Sequence, residues 1–413
     1  MLNESNKNFT ILEIGASSAK LIAGSFLGNA PYVFYVKEVD SREAMDRSAI
    51  INHERLRSII GQLIDVGDES LTTKISLKNI LLIVPPNGVK VFQRGDRSGV
   101  LGRTNSEGRI DKDDIESLLR TIATNAETPG LEIIDIIPDY YTIDEGRTFK
   151  DPPYWEVSTS LKISAKVHSV PQEMVRLYRS SVENSGLSIM GMDVAPYCAS
   201  RLIALDQKGP ESYLLVDLGG GNTTVSLIGN HTFYASISIP KGSIDLTRRI
   251  ADSFQISYEK AERLKIVHGY DRRVTSFQTP IVSVPAEGEK PHTYFQSDLN
   301  HVIEEFFLDF NANLEAAINR LLENEMRNNN QEGRDAIASL PALLIGGGAS
   351  LYGIEDLLAK GLTAHKPARF IPNIIGARDA KYTNLLGLLV AKCTAKGPLS
   401  LGNGNHTLSR REK

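Results

Sequence analysis

Two α/β lobes, each built around a mixed sheet, are what this sequence predicts, and three observations carry the prediction. A three-strand pattern occurs twice, amphipathic helices lie between and after the copies, and the chain is too long for one core. At 413 residues it exceeds the ~250–300 at which a single hydrophobic core stops growing.

The repeated pattern is FTILEIGASSAKLIAGSFLGNAPYVFYVKEVD at 9–40 and SYLLVDLGGGNTTVSLIGNHTFYASISIP at 212–240. In each copy an apolar run ends in acid-x-Gly and a small polar loop follows. A second apolar run then reaches a Gly-Asn pair, and a third run alternates or is rich in aromatics. Gly and Asn adopt positive φ at little cost, so Gly28-Asn29 and Gly229-Asn230 are expected as hairpin turns of a duplicated β-meander.

Between the copies, acids fill the first turn of 111–127, and Ile115, Leu118, Leu119 and Ile122 form one helical stripe. The segment 170–186 has Pro171 near its start and Gly186 at its end, with Met174, Val175, Leu177, Tyr178 and Val182 on one face. After the second meander, helices are expected at 243–254 and 257–269, a hairpin near 274–295 and a long helix at 298–327. LPALLIGGGASLYGIEDLLAKG at 340–361 reads as buried strand, glycine turn and helix. Layers of this kind place ligands where strand ends face a cleft.

Composition narrows the function classes. Apolar residues make up 41% and charged residues 23%, which excludes a disordered or collagen-like chain. The net charge of −4 gives no basic field for nucleic acid or an anionic lipid surface. Cys198 and Cys393 cannot build a disulfide scaffold or a four-ligand zinc site, and are expected to be small buried residues. MLNESNKN lacks the regions of a signal peptide, and no run approaches the ~18 apolar residues of a membrane span, so a cytoplasmic chain is expected. Trp155, the single tryptophan, is read as a local core plug, with an exposed partner anchor as the alternative.

A nucleoside triphosphate needs a nest of backbone N–H donors, small residues that permit close approach, and a carboxylate for magnesium or its waters. Glu13, Gly15, Ala16, Ser17, Ser18 and Lys20 supply an acid, a tight turn, hydroxyls and a lysine. Asp217, Gly219, Gly220, Gly221, Asn222 and Thr223 supply the same parts without the lysine. Gly346, Gly347 and Gly348, followed by Ser350, are expected to open a helix whose N-terminus favours an anion or a nucleotide edge. A lone glycine turn is more often only a turn; the three in this order carry the argument. No Walker motif is present, which disfavours a P-loop site.

In this order the two acid-x-Gly hairpins and the strand with its glycine turn resemble the two phosphate loops and adenosine loop of the actin, sugar kinase and seventy-kilodalton chaperone superfamily. Within it, three stretches resemble FtsA, the bacterial actin-like division protein: NILLIVPPNGVKVFQRGDRSGVLGRTNSEGRIDKDDIESLL with EIIDIIPDYYTIDEGRTFKDP, AERLKIVHGYD, and LLIGGGASLYGIEDLL with IGARDAKYTNLLGLLVA. The resemblance covers roughly 9–395 and implies a two-lobed actin-like ATPase fold with an FtsA-type subdomain inserted in the first lobe. The implied division is 1–79 and 166–205 for the first lobe core, 80–165 for the insertion, 206–243 and 330–395 for the second lobe core, 244–329 for its outer subdomain, and 396–413 for a flexible tail. It also implies ATP and Mg2+ as cofactors, Glu13 and Asp217 toward the metal, and Glu262 and Lys265 toward the ribose. From spacing alone that last pair are merely helix neighbours on a solvated face. The implied partners are the FtsZ C-terminal peptide, other divisome proteins and further copies of the chain in a filament. The implied place is the division site at the inner face of the membrane.

The chain departs from the FtsA pattern in several places. It has Glu13 where relatives usually carry Asp, Ala16 where they carry Thr, and Ala195 where some carry a water-orienting Gln. No general base stands out, so hydrolysis is expected to be slow or absent. DPPYWEVSTSLKISAKVHSV departs too, and the last residues, with Leu399, Leu401 and Leu408 among Gly, Pro and Asn, make a poor amphipathic membrane helix. Membrane contact is therefore expected to be indirect. The alternatives of the same fold are a PilM-like type IV pilus assembly protein, and a sugar kinase or exopolyphosphatase, which would need a catalytic acid that the sequence does not single out.

Overall fold

The structure is a computed structural model describing residues 8–28, 30–66, 77–94, 108–144, 146–206, 209–274, 280–285, 291–326 and 338–394. The expected tail at 396–413 and the tip residue Asn29 lie outside the described residues.

The first meander forms β1 (Phe9–Ile14), β2 (Ser18–Leu27) and β3 (Ala30–Asp40), paired antiparallel in sequence order. A short hairpin, β4 (Met45–Asp46) and β5 (Ala49–Ile50), precedes helix α1 (His53–Ile64). Strand β6 (Asn79–Val84) then pairs parallel to β1. Four strands, β7 (Lys90–Arg94), β8 (Leu131–Ile143), β9 (Arg147–Phe149) and β10 (Leu161–Pro171), make a separate antiparallel sheet in the order β7-β10-β8-β9. Helix α2 (Lys112–Ala126) packs on that sheet through the predicted stripe, and Asp111 and Asp114 close a capping box at its start.

Helix α3 (Gln172–Glu183) leads to β11 (Ser188–Val194), which pairs parallel with β6 and completes the order β11-β6-β1-β2-β3. Strand β6 lies wholly in this first-lobe sheet and β10 runs on to Pro171, so the inserted sheet does not keep the expected 80–165 boundaries. The physical reason is burial: Ile80–Val84 is apolar on both faces, as a central parallel strand requires.

After helix α4 (Ala195–Ile203) the second lobe repeats the plan. Its strands β12 (Tyr213–Leu218), β13 (Thr223–Gly229) and β14 (Thr232–Ile239) form the second meander. Helices α5 (Ser243–Phe254) and α6 (Tyr258–His268), the hairpin β15 (Pro280–Val284) and β16 (His292–Phe295), and the long helix α7 (Gln296–Met326) follow. Parallel strands β17 (Ala342–Ile345) and β18 (Pro367–Arg369) complete the order β14-β13-β12-β17-β18, the same topology as the first lobe. Helix α8 (Ile354–Ala359) lies between those two strands, and α9 (Thr383–Thr394) packs against α4.

Two local expectations are corrected. The second hairpin turns on Asn230 and His231, both with positive φ, and not on Gly229-Asn230, because Gly229 already pairs with Thr232 in the ladder. Trp155 is 73% exposed and has φ of +72°, so it is no core plug. The tight turn at Tyr154–Glu156 carries its ring outward.

Where the inserted sheet meets α4 and α9, a group of polar side chains is sealed from water. Asp193 on β11 is fully buried and pairs with Lys392 on α9 at 2.8 Å. Burial and the neighbouring Asp135 carboxylate push the Asp193 carboxyl up. Burial disfavours the Lys392 charge, but the two carboxylates outweigh it and keep the ammonium protonated. His168, opposite Asp135 in the β8–β10 ladder, is also fully buried, with its ring edge-on to Tyr197 and Phe233.

Removing one member of a buried pair strands the other charge. Lys392→Met is therefore expected to cost on the order of 3–5 kcal/mol in a urea titration, and adding Asp193→Leu should recover most of it. Burial lowers His168 to about 4 from its ordinary 6.5. The unfolded chain then binds the proton more readily than the folded one, so stability contributed by neutral His168 is present above pH ~6.5 and is lost as pH falls toward ~4. His168→Phe should flatten the urea midpoint against pH across that window, where the native chain loses on the order of 3 kcal/mol.

Candidate functional site

The acid-x-Gly turn of each meander ends its first strand at the cleft between the lobes. Gly15 N–H bonds the Ser18 carbonyl at 3.1 Å, and Gly219 N–H bonds the Asn222 carbonyl at 3.0 Å, so both turns close in the same way. They approach each other closely. A Cβ on Gly220 would lie 2.7 Å from the Ser17 Cβ, and one on Gly221 would lie 2.9 Å from the Ala16 Cβ. Any side chain at either glycine would force the lobes apart.

The chamber between the turns has a volume of about 160 Å³. Glu13, Gly15, Ala16, Ser17, Ser18, Lys20, Asp217, Gly219, Gly220, Gly221, Asn222, Gly346 and Gly347 all line it. Ala195, at the start of α4, lines it too.

Other predicted residues fall elsewhere. Thr223 is buried, and its hydroxyl donates to the Lys241 carbonyl at 2.9 Å. Gly348 packs on Leu218, and Ser350 donates to Asp379 at 3.3 Å, outside the chamber. The three glycines open a 3-10 turn (Gly347–Ser350) instead of an α-helix, which begins only at Ile354. Gly346, at φ of +84°, bends the chain away from helical geometry at that point.

Glu262 and Lys265 are not a solvated face. Lys265 is buried on α6 and donates to Glu262 at 2.8 Å, to the Thr247 hydroxyl at 2.8 Å and to the Ser243 carbonyl at 3.2 Å. The pair thus clamps α6 to α5 and touches the chamber only through Ser243, which lines it. Burial lowers the Lys265 ammonium below its usual range.

The two predicted metal acids face each other across the lobes. Asn384 on α9 spans them, its Nδ2 donating to Glu13 Oε1 at 2.8 Å and to Asp217 Oδ2 at 3.0 Å. Lys20 reaches Glu13 Oε2 at 3.4 Å. Burial first, and the Glu13 carboxylate second, push the Asp217 carboxyl up to about 6. Two acids sharing a dry site are a natural place for a divalent cation, which would relieve their repulsion. The Asn384 Oδ1 is buried without a partner and adds a third oxygen there. The residues present therefore fit Mg2+, and the two glycine turns fit a polyphosphate.

Sequence reasoning missed Asn384, and with it Arg47, Ser48, Glu38, Asn87 and Lys381, which also line the chamber. The signal for Asn384 was present: it is an amide in the otherwise apolar helix TNLLGLLVA. The others lie on loops and strand ends whose pattern says nothing about the cleft.

Two sheets of one topology, joined through α4 and facing each other with acid-x-Gly turns, define an actin-like ATPase fold. Solved structures share it: the PilM-PilN type IV pilus biogenesis complex matches with TM-score 0.57 at 18% identity, over 93% of this chain and 98% of that one. MreB 5 of Spiroplasma citri bound to AMPPNP matches with TM-score 0.53 at 12% identity, over 95% and 97%. The sequence narrows the class further. The family model for cell division protein FtsA matches residues 214–387, and that for the SHS2 domain inserted in FtsA matches 95–170. FtsA of Enterococcus hirae is 23% identical over 92% of this chain and 81% of its own length, and FtsA of Bacillus subtilis (strain 168) is 24% identical over 94% and 84%. The chain belongs to the FtsA family of actin-like cell division proteins.

Without the Asn384 amide, Glu13 and Asp217 would face each other with no shared donor. Asn384→Leu is expected to raise the Asp217 pKa beyond about 6. Infrared spectra at neutral pH should then show a protonated carboxylic acid band stronger than in the native chain, and the gain should be lost when Asn384→Leu is combined with Asp217→Asn.

Proposed function

We propose that this protein is a nucleotide-binding division scaffold: ATP with Mg2+ occupies the cleft between the lobes and biases the chain toward a conformation that self-associates and binds the FtsZ tail peptide. The observation that carries the reading is the facing pair of glycine turns with Glu13, Asp217 and Asn384 between them. Backbone N–H groups of both turns would hold the phosphates, and the two acids with Asn384 would hold Mg2+ or its waters. Mg2+ supplies charge neutralisation for the phosphates when bound. The MreB structure bound to AMPPNP shows that a relative of this fold takes a nucleoside triphosphate analogue.

Turnover is not required by this role. Ala195 places a methyl group in the chamber, and Tyr178, also in its lining, keeps its hydroxyl on the Ser48 carbonyl at 3.1 Å. Nucleotide then acts by shifting a population. The outer part of the second lobe, α5 to α7, is the surface we assign to the FtsZ peptide, and α6 exposes Ile266 and Val267 there. Among the described residues no helix is long and apolar enough to cross a membrane, and we assign membrane contact at the division site to a partner protein.

Isothermal titration is expected to show ATP binding that needs Mg2+ and disappears in Gly220→Val, whose side chain would collide with Ser17. Absence of binding by the native chain would overturn the nucleotide reading. Ile266→Asp with Val267→Asp should weaken FtsZ peptide binding, measured by anisotropy, while ATP binding is kept. Sedimentation with ATP, FtsZ and liposomes, each omitted in turn, is expected to show assembly that depends on ATP and membrane recruitment that needs more than this chain.

A further inference from the structure

The cleft is divided. An outer chamber of about 360 Å³ lies between the β3–β5 region of the first lobe and helices α5 and α6 of the second. Arg47 and Gly221 line both this chamber and the inner one of about 160 Å³, and together form the wall between them. Ligand pockets run from roughly 300 to 1,000 Å³, so the inner chamber alone is too small for a whole nucleoside triphosphate. The wall separates it from the larger space outside.

Its construction shows what holds it. Arg47 sits at the tip of the β4–β5 hairpin with φ of +54°, a left-handed conformation that a non-glycine residue adopts at a cost. Its Nη1 donates to the Gly221 carbonyl at 2.9 Å and to the Pro240 carbonyl, both in the second lobe. The next residue repeats the cross-lobe grip: the Ser48 hydroxyl accepts from Asn222 at 2.7 Å and from Asn87 at 2.9 Å. Asn87 in turn accepts from Ser238 on β14 at 3.0 Å.

The arginines of the outer chamber differ in their partners. Arg42 is held by Asp40, and Arg55 by Glu43. The acceptors of Arg47 are both uncharged carbonyls. A phosphate oxygen makes a shorter and stronger bond to a guanidinium than a carbonyl does, and can take two of its N–H groups at once. Gly346 and Gly347 line the inner chamber alone, so a polyphosphate seated from their side meets Arg47 with its far end.

Resting on the nucleotide reading above, we propose that the Arg47–Ser48 turn is an interlobe clasp, and that Arg47 reads the terminal phosphate of a nucleoside triphosphate. In the ligand-free chain the clasp holds the lobes together through carbonyls and amides. A triphosphate gives the guanidinium a better acceptor and keeps the cleft shut around the ligand. A diphosphate lacks that terminal group, so the clasp distinguishes the two nucleotides.

Two measurements test the two halves separately. For the clasp, spin labels at Leu27→Cys and Leu308→Cys, 79% and 74% exposed in the first and second lobes, report the interlobe distance in a Cys393→Ser background. Without nucleotide, Arg47→Ala is expected to lengthen and broaden that distance while circular dichroism stays native; an unchanged distribution overturns the clasp. For the phosphate, fluorescent ATP and ADP analogues are titrated with Mg2+. The native chain should prefer the triphosphate, and Arg47→Ala should lose roughly tenfold or more in triphosphate affinity, as loss of a charge-assisted contact implies, with the diphosphate unchanged. Arg47→Lys, which keeps the charge but not the fork, should recover part of the preference. Equal weakening of both nucleotides overturns the phosphate role. If the native chain binds neither, the nucleotide reading fails, and the phosphate role with it, while the distance measurement still decides the clasp.

Discussion

The structure depends on one steric constraint: the two acid-x-Gly turns touch. Gly220 rests against Ser17, and Gly221 against Ala16 and the Arg47 backbone, at separations that leave no space for a Cβ. That contact sets the distance between the lobes, and with it the size of the inner chamber and the separation of Glu13 from Asp217. Glycine here serves close approach between two backbones, not turn geometry, since neither Gly220 nor Gly221 has positive φ. The cross-lobe hydrogen bonds of Arg47, Ser48 and Asn384 can form only because the glycines let the lobes meet.

The same constraint explains why so much of the fold was legible. A duplicated meander with matching acid-x-Gly turns announces two equivalent sheets, and the structure returns them with the same strand order. Helices with a clear apolar stripe were placed to within a few residues, and Ser243–Phe254 matches at both ends. What sequence could not supply was contact between distant segments. Asn384 lies 371 positions from Glu13, and Arg47 174 positions from Gly221. No local period encodes such a pairing. Lys265 shows the limit from the other side: a charged residue on a helix looks solvated until the Thr247 and Ser243 acceptors on α5 are seen beside it.

The buried group around Asp193 extends the argument to the inserted subdomain. Its members come from β8, β10, β11, α4 and α9, so the charge balance at one point couples the insertion to the first lobe and to the last helix. Helix α9 carries both Lys392 in this group and Asn384 in the chamber. A rigid helix of 12 residues holds its two ends in fixed relation, so a displacement at the chamber would be felt at the insertion.

The departures of the first turn are easier to understand together than singly. Glu13 has one more methylene than an aspartate would have in its place. With that reach, one of its oxygens meets Asn384 at 2.8 Å while the other meets Lys20 at 3.4 Å on the adjacent strand. An aspartate on the same backbone would fall short of one of them. Ala16 supplies no hydroxyl, but its small side chain is what packs against Gly221. Ala195 puts only a methyl group into the chamber, and the Asn384 Nδ2 there is committed to the two acids. The two acids of the chamber thus meet donors of the protein itself, Asn384 and Lys20, while Arg47, Ser48 and Asn384 hold the lobes together across it.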